Sequence, residues 1–592
     1  MDQLTRLQIV CILIFLGLLA YANAVNHPFV HDDVLFIQKN PNLESLDLKN
    51  FFLHSSVPDY DRSFVNQYYR PLLELTNRIL YRIVGRNPHG FHLFNILLHI
   101  LNSFLVFNIT SFITDNKKKL SLAAAILFLL HPVQSEAVAC ISGISNLLFT
   151  ALCLMSFFMY LMGIHAKKTS GYRMRYMFSL LLFFFALLAK EQSVILPALI
   201  VAYELCFTKI SFKAFLERFW PVAGFFIVLA GYFLLRKILY GFAVTPPMAN
   251  RQEYLLILLA IPRSILTYLS LVFFPNNLHY YRSQDFLLPF IGPTLLLVGI
   301  IVLIVLLTCR APLPQKRWMA FGLSWFGISL FPTLNIMPLI NEYSLLLTSE
   351  HFLYFPIIGI LLFVMGLCFH AFNGREDSKV FDRCFIICGM IVVIYMGITV
   401  KQNNYWRDEI SLFERTLKFE KDFGRGRILL AAAYASAGDF QKAVEEDLKG
   451  LVIMQGYAQK TSNDRIKVFY QDFIKKIHYH LGYCYRNLDD RAASLDHYKK
   501  ALELEPNNDI FQYTVGIAYL EVKDISNAVI HFEKAVDLNE NNLVAMNSLA
   551  ICYQETGEWA KAEKYLRLVA EKDSQSLSAK KNLENFLRKY KQ

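Results

Sequence analysis

Long apolar blocks alternate with short basic loops from the N-terminus to about residue 400. A helix that crosses a membrane needs about 20 predominantly apolar residues, so this pattern predicts about eleven membrane-spanning helices, some of them short. The predicted spans cover residues 7–25, 91–113, 120–137, 146–165, 176–190, 193–207, 219–236, 286–308, 318–338, 351–371 and 384–400. An all-α, polytopic membrane helical bundle is therefore the fold expected for this region.

Lys and Arg are clustered in loops that follow every second predicted span. The clusters lie in residues 117–119, 167–175, 209–218, 310–317 and 375–383. Because short cytoplasmic loops carry an excess of basic residues, we expect a cytoplasmic N-terminus and a C-terminal tail on the other side. A further block, 254–274, has Pro262 and Arg263 at its centre, and counting it as a span would reverse the side of every later cluster. We predict a re-entrant or interfacial helix there.

The tail repeats itself with a period of 34 residues. This shift superimposes Leu481-Gly482 on Val515-Gly516 and Leu549-Ala550, Tyr485 on Tyr519 and Tyr553, and Ser494 on Ala528 and Ala562. The period and the residue pattern are those of tetratricopeptide repeats. A looser unit around Tyr434, Gly438 and Ala443 precedes them at an offset of 51 residues, which indicates an insertion near 455–472. The basic, amphipathic segment 574–592 is the predicted capping helix.

Composition agrees with a membrane protein. Of 592 residues, 55% are hydrophobic and 50 are Phe, which is more than a soluble fold needs to fill its core. The formal charge of +11 sets orientation, because the excess basic residues of the first half lie in the short loops, and it gives no support to a nucleic-acid partner. The ten Cys show neither disulfide-framework nor zinc spacing, and Cys484 and Cys552 fall at packed repeat positions.

The first and second spans are separated by an outer loop, residues 26–90, that is much longer than an ordinary connector. It opens with His31-Asp32-Asp33, so that two carboxylates stand at the membrane surface. Adjacent acids at this place fit three roles: coordinating a metal, deprotonating an acceptor hydroxyl, or capping the helix predicted over Val34–Gln38.

Other ionisable residues recur at span ends on the same predicted face. They are Arg70, His131, Glu136, Lys190, Glu191, Arg263, Glu350 and His351. Such residues are costly at a membrane unless they face water or a partner. Each has an ordinary structural explanation, such as local pairing of Lys190 with Glu191 or helix breaking by His131 beside Pro132. Together they predict a polar cavity for a substrate with a charged head and a lipid tail, in which cations neutralise a phosphate and Asp activates a hydroxyl.

Several segments resemble one known family. FVHDDVLFIQKNP, YYRPLLELTNRILYRIVGRNPHGFHLFNILLHILNS, LFLLHPVQSEAVACISGISNLL, LLAKEQSVILPALIVAYEL, SEHFLYFPIIG and the WRDEISLFERTL bridge occur in order from about residue 25 into the repeats. They are similar to the transmembrane and tetratricopeptide-repeat-containing O-mannosyltransferases. The resemblance implies a GT-C glycosyltransferase fold over residues 1–405, with a tetratricopeptide-repeat domain over 406–592. It also implies hexosyltransferase activity with a polyprenyl-phosphate-linked sugar donor. In that family the sugar is mannose and the acceptors are Ser/Thr hydroxyls of proteins. The resemblance implies no metal or other cofactor.

In that fold the acidic pair after the first span carries the catalytic carboxylate, which maps onto Asp32 and Asp33. The other eight residues match family motif positions without individual roles. The position before the acidic pair is often Trp in the animal proteins and is His31 here. The array is also shorter than theirs, so the acceptor stays open: the alternatives are a glycolipid or cell-wall glycan, or a non-enzymatic membrane-anchored repeat scaffold. We expect the repeats to lie in the periplasm of a bacterial inner-membrane protein, with the endoplasmic reticulum as the alternative, and to bind a protein acceptor or partner.

Overall fold

The computed structural model describes most of the chain. The described residues are 5–44, 69–165, 171–208, 212–240, 251–283, 291–334, 346–371, 379–461, 464–573 and 575–590. The chain divides into two compact units, Met1–Phe419 and Glu420–Gln592. This division lies later than the predicted boundary after residue 405, so that the last helix before Glu420 belongs to the first unit. Much of the outer loop, residues 45–68, lies outside the described residues.

The described part of the first unit is helical apart from one short pair of strands. Its helices are α1 Arg6–Tyr21, α2 Pro71–Val84, α3 Pro88–Ile113, α4 Lys118–Leu130, α5 Ser135–Ala139, α6 Ile144–His165, α7 Gly171–Ala189, α8 Leu196–Phe207, α9 Phe212–Tyr240, α10 Arg251–Phe273, α11 Ile291–Arg310, α12 Leu313–Leu330, α13 Ile357–Ala371, α14 Lys379–Asn403 and α15 Glu409–Phe419. Strands β1 Arg282–Ser283 and β2 Leu346–Thr348 pair antiparallel, with Arg282 opposite Thr348.

Seven helices among the described residues are long and apolar enough to cross a membrane. They cover Arg6–Asn26, Pro88–Ile113, Ile141–His165, Gly171–Ala189, Trp220–Leu239, Ile291–Arg310 and Ile386–Trp406. The bent pair Lys118–Leu130 and Pro132–Ala139 makes up to eight. The number is below the eleven predicted because residues 193–207 and 318–338 contribute the shorter or less apolar helices α8 and α12, and Ile357–Ala371 is also short. The predicted membrane bundle is confirmed.

The block 254–274, predicted as a re-entrant or interfacial helix, lies in one continuous helix, α10, which ends at Phe273 and has Pro262 inside it. Its described apolar part, Leu258–Phe273, is shorter than the helices that qualify as spans. A proline in a helix removes one backbone hydrogen bond, and neighbouring groups at membrane depth must replace it. The helix nevertheless continues past Pro262 without a break as far as Phe273.

Close helix contacts hold the core of the first unit. A Cβ on Gly322 of α12 would lie 2.5 Å from the Gly359 carbonyl oxygen of α13, and one on Gly359 would lie 2.4 Å from the Gly322 carbonyl oxygen. Such small residues let two backbones approach closely, which is how helices associate where lipid removes the hydrophobic driving force. Beside this contact the rings of Phe157 and Trp325 pack edge to face, with their centroids 5.6 Å apart.

The second unit consists of helical hairpins. Its helices are α16 Gly424–Ser436, α17 Phe440–Lys460, α18 Asp464–Asn487, α19 Arg491–Leu504, α20 Asp509–Glu521, α21 Ile525–Leu538, α22 Leu543–Glu555, α23 Trp559–Lys572 and α24 Leu577–Tyr590. The insertion predicted near 455–472 is taken up by longer helices, since α17 has 21 residues and α18 has 24, whereas α19 has 14 and α20 has 13.

The turn inside each hairpin repeats in conformation. The backbone is left-handed at Gly438, Asp489, Lys523 and Gly557, with φ between 61° and 83°. Residues 489, 523 and 557 follow one another at intervals of 34, and 438 precedes 489 by the predicted 51. The repeat period in the sequence therefore corresponds to one repeated structural unit.

Candidate active site

Asp33 is a buried carboxylate that fastens the outer loop to the start of α6. Its Oδ1 accepts a hydrogen bond from the Ser142 backbone N–H at 2.7 Å, and its Oδ2 accepts from the N–H groups of Val30 and Ile141, each at 3.3 Å. Burial raises the pKa of Asp33 to about 6, although these three backbone hydrogen bonds act in the opposite direction. With the side chain 1% exposed, Asp33 is engaged on both oxygens and closed to a substrate.

Asp32, by contrast, is accessible. Its side chain is 47% exposed, and its Oδ1 lies 2.8 Å from Nδ1 of His31. His31 has a left-handed backbone with φ 55°, which is uncommon for a residue other than glycine. The His31 N–H donates to Oε1 of Glu409 on α15 at 3.1 Å, and its ring lies 5.0 Å from that of Tyr280. The two neighbouring carboxylates therefore differ in access, with Asp33 buried and Asp32 exposed.

The beginning of α6 also receives Lys190, which lies between α7 and α8. The Lys190 Nζ donates to Oδ1 of Asn146, four residues beyond the Ser142 that binds Asp33, and lies 5.7 Å from the centre of the Phe149 ring. The Nζ of this buried lysine thus donates to a neutral amide. The first turn of α6 therefore holds one predicted catalytic residue on one side and one predicted cation on another.

Arg70 and Glu191 form a fork-shaped ion pair. The Arg70 Nε donates to Oε2 of Glu191 at 2.9 Å, and Nη2 donates to Oε1. The two side chains are 16% and 18% exposed. Burial acts to raise the pKa of Glu191, but the Arg70 guanidinium outweighs it and lowers that pKa to about 2. Since Glu191 follows Lys190 directly, the three residues place two cations and one anion together.

Glu136 and His351 meet across 215 residues of sequence. The carboxylate of Glu136 accepts from Nδ1 of His351 at 2.7 Å, from the His351 N–H at 2.9 Å, and from Oγ of Ser349 at 3.0 Å. Glu136 is almost fully buried, whereas the side chain of His351 is 26% exposed. The imidazole is therefore the accessible member of this pair.

Glu350 points away from its neighbour His351. Its Oε1 accepts from Nη2 of Arg282 at 2.8 Å and from the His279 N–H. Arg282 also donates to the backbone carbonyl oxygens of Asn277 and His279, so Glu350 fixes residues 277–282. Burial raises the pKa of Glu350 to about 7, against the opposing effect of Arg282. This loop carries Tyr280, whose ring packs on that of His31, so Glu350 anchors a loop that contacts His31.

Comparisons with known proteins follow the same division of the chain. Two family models, both described as Tetratricopeptide repeat, match residues 476–508 and 519–583. Protein O-mannosyl-transferase TMTC3 of Homo sapiens is 24% identical over 536 residues, which are 82% of this chain and 54% of that protein. Protein O-mannosyl-transferase TMTC1 of Mus musculus is 30% identical over 199 residues, which are 32% of this chain and 21% of that protein.

This chain is similar to the TMTC proteins. The resemblance recognised in its motifs is thereby confirmed, as are its membrane helices and its repeats. The chain spans about half the length, or less, of these two curated relatives. Among solved structures, the crystal structure of YrrB, titled a TPR protein with an unusual peptide-binding site, is 20% identical and covers 30% of this chain and 84% of its own, with a TM-score of 0.25.

Two further residues predicted for the site, His131 and Arg263, are associated with α10. His131 caps the short helix Pro132–Gln134, because its Nδ1 accepts from the Val133 N–H at 3.2 Å, and its Nε2 lies 2.9 Å from the Val272 carbonyl oxygen at the end of α10. These contacts give His131 a structural role, the helix-breaking explanation considered from the sequence. Arg263 is half-buried and lies in the middle of α10, next to Pro262.

Three residues that contact the predicted site residues were not predicted from the sequence. Arg282 binds Glu350, Asn146 binds Lys190, and Glu409 accepts from the backbone N–H of His31. Arg282 lies in a short segment between apolar blocks and near no recognised motif. Asn146 stands within the quoted segment LFLLHPVQSEAVACISGISNLL, so its polar amide at the start of a span was the available signal.

Proposed function

We propose that this chain is a membrane glycosyltransferase that moves a sugar from a polyprenyl-phosphate donor to Ser/Thr hydroxyls of a protein. The names of the similar proteins indicate that the sugar is mannose. The observation that carries the proposal is the arrangement around the start of α6. The buried Asp33 accepts from Ser142 just before this helix, and Lys190 donates to Asn146 in its first turn. The neighbouring Asp32 carboxylate is accessible. Similarity to TMTC3 over 82% of the chain supports the sugar and the class of acceptor.

Asp32 is the proposed general base, and Asp33 is a positioning residue. A base must reach the proton that it removes, so access decides between the two carboxylates before pKa does. Asp33 has the perturbed pKa that often marks functional groups, yet both of its oxygens are occupied by backbone N–H groups. Asp32 is half-exposed and is held by His31, which also fixes the direction of its carboxylate.

The proposed reaction is a direct displacement. Asp32 accepts the proton of the acceptor hydroxyl while that oxygen forms a bond to C1 of the sugar. The bond between C1 and the phosphate oxygen breaks, and its electron pair leaves with the polyprenyl phosphate. The energy comes from the sugar-phosphate bond of the donor, and no metal or other cofactor takes part in the proposed steps.

Arg70 and Lys190 are the proposed partners of the departing phosphate. Glu191 neutralises one of the two cations, and Lys190 donates to the neutral amide of Asn146. With Lys190 protonated, the three charged side chains carry one net positive charge. A positive charge fixed where negative charge develops lowers the barrier most effectively when water is excluded. His351, at 26% exposure, is the next group able to approach the acceptor or the sugar.

Residues 1–405 are proposed as the glycosyltransferase domain, with 26–90 as its outer catalytic loop, and 406–592 as the repeat domain. The basic loops support a non-cytoplasmic position for both the catalytic loop and the repeats. Tetratricopeptide arrays bind extended peptides or partner proteins in their grooves, so the repeats are proposed to present the acceptor. A bacterial inner membrane with periplasmic repeats is the favoured setting, and the endoplasmic reticulum is the alternative.

The decisive experiment measures sugar transfer by the purified full chain from labelled polyprenyl-phosphate mannose to membrane and secreted-protein extracts. Asp32→Asn is expected to lower kcat by about 10²–10⁴ with an unchanged unfolding midpoint, because it removes only the base. Asp33→Asn is expected to lower the unfolding free energy by about 1–3 kcal/mol, since one buried backbone donor loses its acceptor. Asp489→Asn, on an exposed repeat turn, is the matched control.

Each result has a distinct meaning. Full activity of the folded Asp32→Asn variant contradicts the assignment of the base. Label recovered in lipid or glycan from the wild-type protein means that the acceptor is not a protein. No transfer from any labelled donor, with the repeats still binding a partner, replaces the enzyme by a membrane-anchored scaffold.

A further inference from the structure

Three metal-binding residue types meet inside the repeat unit, where the repeat pattern calls only for packing. His480 and Cys484 lie on α18, four residues apart and thus on one face of the helix, and Asp447 lies on the preceding helix α17. One donor atom from each lies within 4.8 Å of the other two. The Asp447 Oδ2 is 2.5 Å from Nδ1 of His480, whose ring nitrogens are 3.9 Å from Sγ of Cys484.

A second observation indicates that the cluster is made for a ligand. Asp447 is 0% exposed, and its Oδ1 accepts no hydrogen bond from the part of the chain that the structure describes. A buried carboxylate oxygen without a donor is expensive, and most such groups in proteins are satisfied by a partner or an ion. His480 remains 22% exposed, so an ion has a path from solvent to the cluster.

The repeat consensus accounts for only part of this arrangement. The positions that correspond to Cys484 at the 34-residue period are Ala518 and Cys552, both small and buried, so packing alone explains a cysteine here. The positions that correspond to His480 are Thr514 and Ser548. Packing therefore does not call for the imidazole, nor for the buried carboxylate that faces it.

We propose that Asp447, His480 and Cys484 form a three-ligand site for a divalent transition-metal ion, with Zn²⁺ the best match. Zinc takes thiolate, imidazole and carboxylate ligands together, in tetrahedral geometry at about 2.0–2.3 Å. The corresponding distance between sulfur and nitrogen ligands is roughly 3.6 Å, close to the 3.9 Å between Cys484 Sγ and the His480 ring nitrogens, whereas Asp447 Oδ2 and His480 Nδ1 are at hydrogen-bond distance and would move apart on binding. Three protein ligands leave a fourth position for water or for a group of a bound partner. The site lies in the repeat unit and is independent of the proposed glycosyl transfer.

The test uses the full chain purified in detergent, stripped of metal and titrated with Co²⁺, a spectroscopic substitute for Zn²⁺. We expect one equivalent to produce a thiolate-to-cobalt charge-transfer band that Zn²⁺ removes by displacement. Cys484→Ala and Cys484→Ser are expected to abolish the band, and Asp447→Asn to weaken Co²⁺ binding by at least about tenfold. Cys552→Ala is the matched control, because Cys552 is also buried at the same repeat position but has Ser548 in place of the histidine.

A second measurement does not depend on cobalt. Zn²⁺ is expected to raise the unfolding midpoint of the wild-type protein and of Cys552→Ala, and to leave that of Cys484→Ser unchanged, since an ion that binds only the folded state stabilises it. Absence of the charge-transfer band in the wild type overturns the proposal. So does a band of equal strength in Cys484→Ser, which would assign the cobalt to another thiol. Either result would leave a buried hydrogen bond between His480 and Asp447 as the whole function of the cluster.

Discussion

The pair formed by Arg70 and Glu191 offers the sharpest test of the electrostatics of the site. Both side chains are largely buried, and two parallel hydrogen bonds join them across 121 residues of sequence. The pKa of Glu191 is held near 2 against an ordinary value of 4.5. By linkage this difference corresponds to about 3 kcal/mol of unfolding free energy.

Glu191→Gln is therefore expected to lower the unfolding free energy of the membrane unit by about 3 kcal/mol at about pH 7, since it leaves a partly buried guanidinium without its counter-ion. The sign of the pH dependence follows from the lowered pKa. A carboxylate with a lowered pKa stabilises the folded state above its unfolded pKa, and this contribution is lost as the pH falls from about 4.5 toward 2. The difference between the wild type and Glu191→Gln is thus expected to shrink over that range.

The assay is denaturant titration in mixed micelles of the wild type, Glu191→Gln, Arg70→Met and the double variant. The double-variant cycle isolates the coupling between the two side chains. Arg486 and Glu521 form the same kind of pair in the repeats, but with Arg486 48% exposed, so Glu521→Gln is expected to cost no more than about 1 kcal/mol. A coupling below about 0.5 kcal/mol for Arg70 and Glu191, or a pH-independent difference, refutes the reasoning.

Two further substitutions test the packing and the loop. Gly516→Ala is expected to destabilise the repeats by about 1–3 kcal/mol, because its Cβ would lie 2.6 Å from the Phe532 ring. A Cβ on Gly456 meets nothing within 4 Å, so Gly456→Ala is expected to stabilise its helix by about 0.5–1 kcal/mol. Thermal unfolding measures both changes in stability, and changes of the same sign contradict the packing argument. Arg282→Met is expected to lower the unfolding free energy by about 3–5 kcal/mol, because Glu350 stays buried without its cation. The double variant Arg282→Met/Glu350→Gln is expected to recover part of this loss. The rate of proteolysis within residues 277–282 measures the change, and unaltered cleavage argues against anchoring by Arg282.

The sequence predicted the features that depend on local pattern. The 34-residue period predicted the repeat hairpins, since a period reports a repeated structural unit, and the left-handed turns found at Asp489, Lys523 and Gly557 recur at the same interval. The apolar blocks likewise located the long spans. Block length proved a weaker guide for 193–207 and 318–338, because a membrane helix and a buried core helix have similar composition when the block is short.

The pairing of the polar residues was beyond local pattern. Glu136 and His351 were both predicted for the site, but nothing in a single sequence connects residues 215 positions apart. Asp32 and Asp33 were indistinguishable for a similar reason. Their difference comes from the donors that Ile141 and Ser142 present to Asp33 alone, which are a property of the folded protein.

The segment that leads into α6 explains why these side chains converge. Non-helical backbone near a membrane must have its polar groups satisfied by protein. Asn95 donates to the carbonyl oxygens of Cys140 and Ile141, while Asp33 accepts from the N–H groups of Ile141 and Ser142. The same contacts that satisfy this break in the helix therefore fix the carboxylate of Asp33, next to the proposed base Asp32. With Lys190 bound to Asn146 one turn further on, the requirements of the membrane and of the proposed chemistry are met by one short segment.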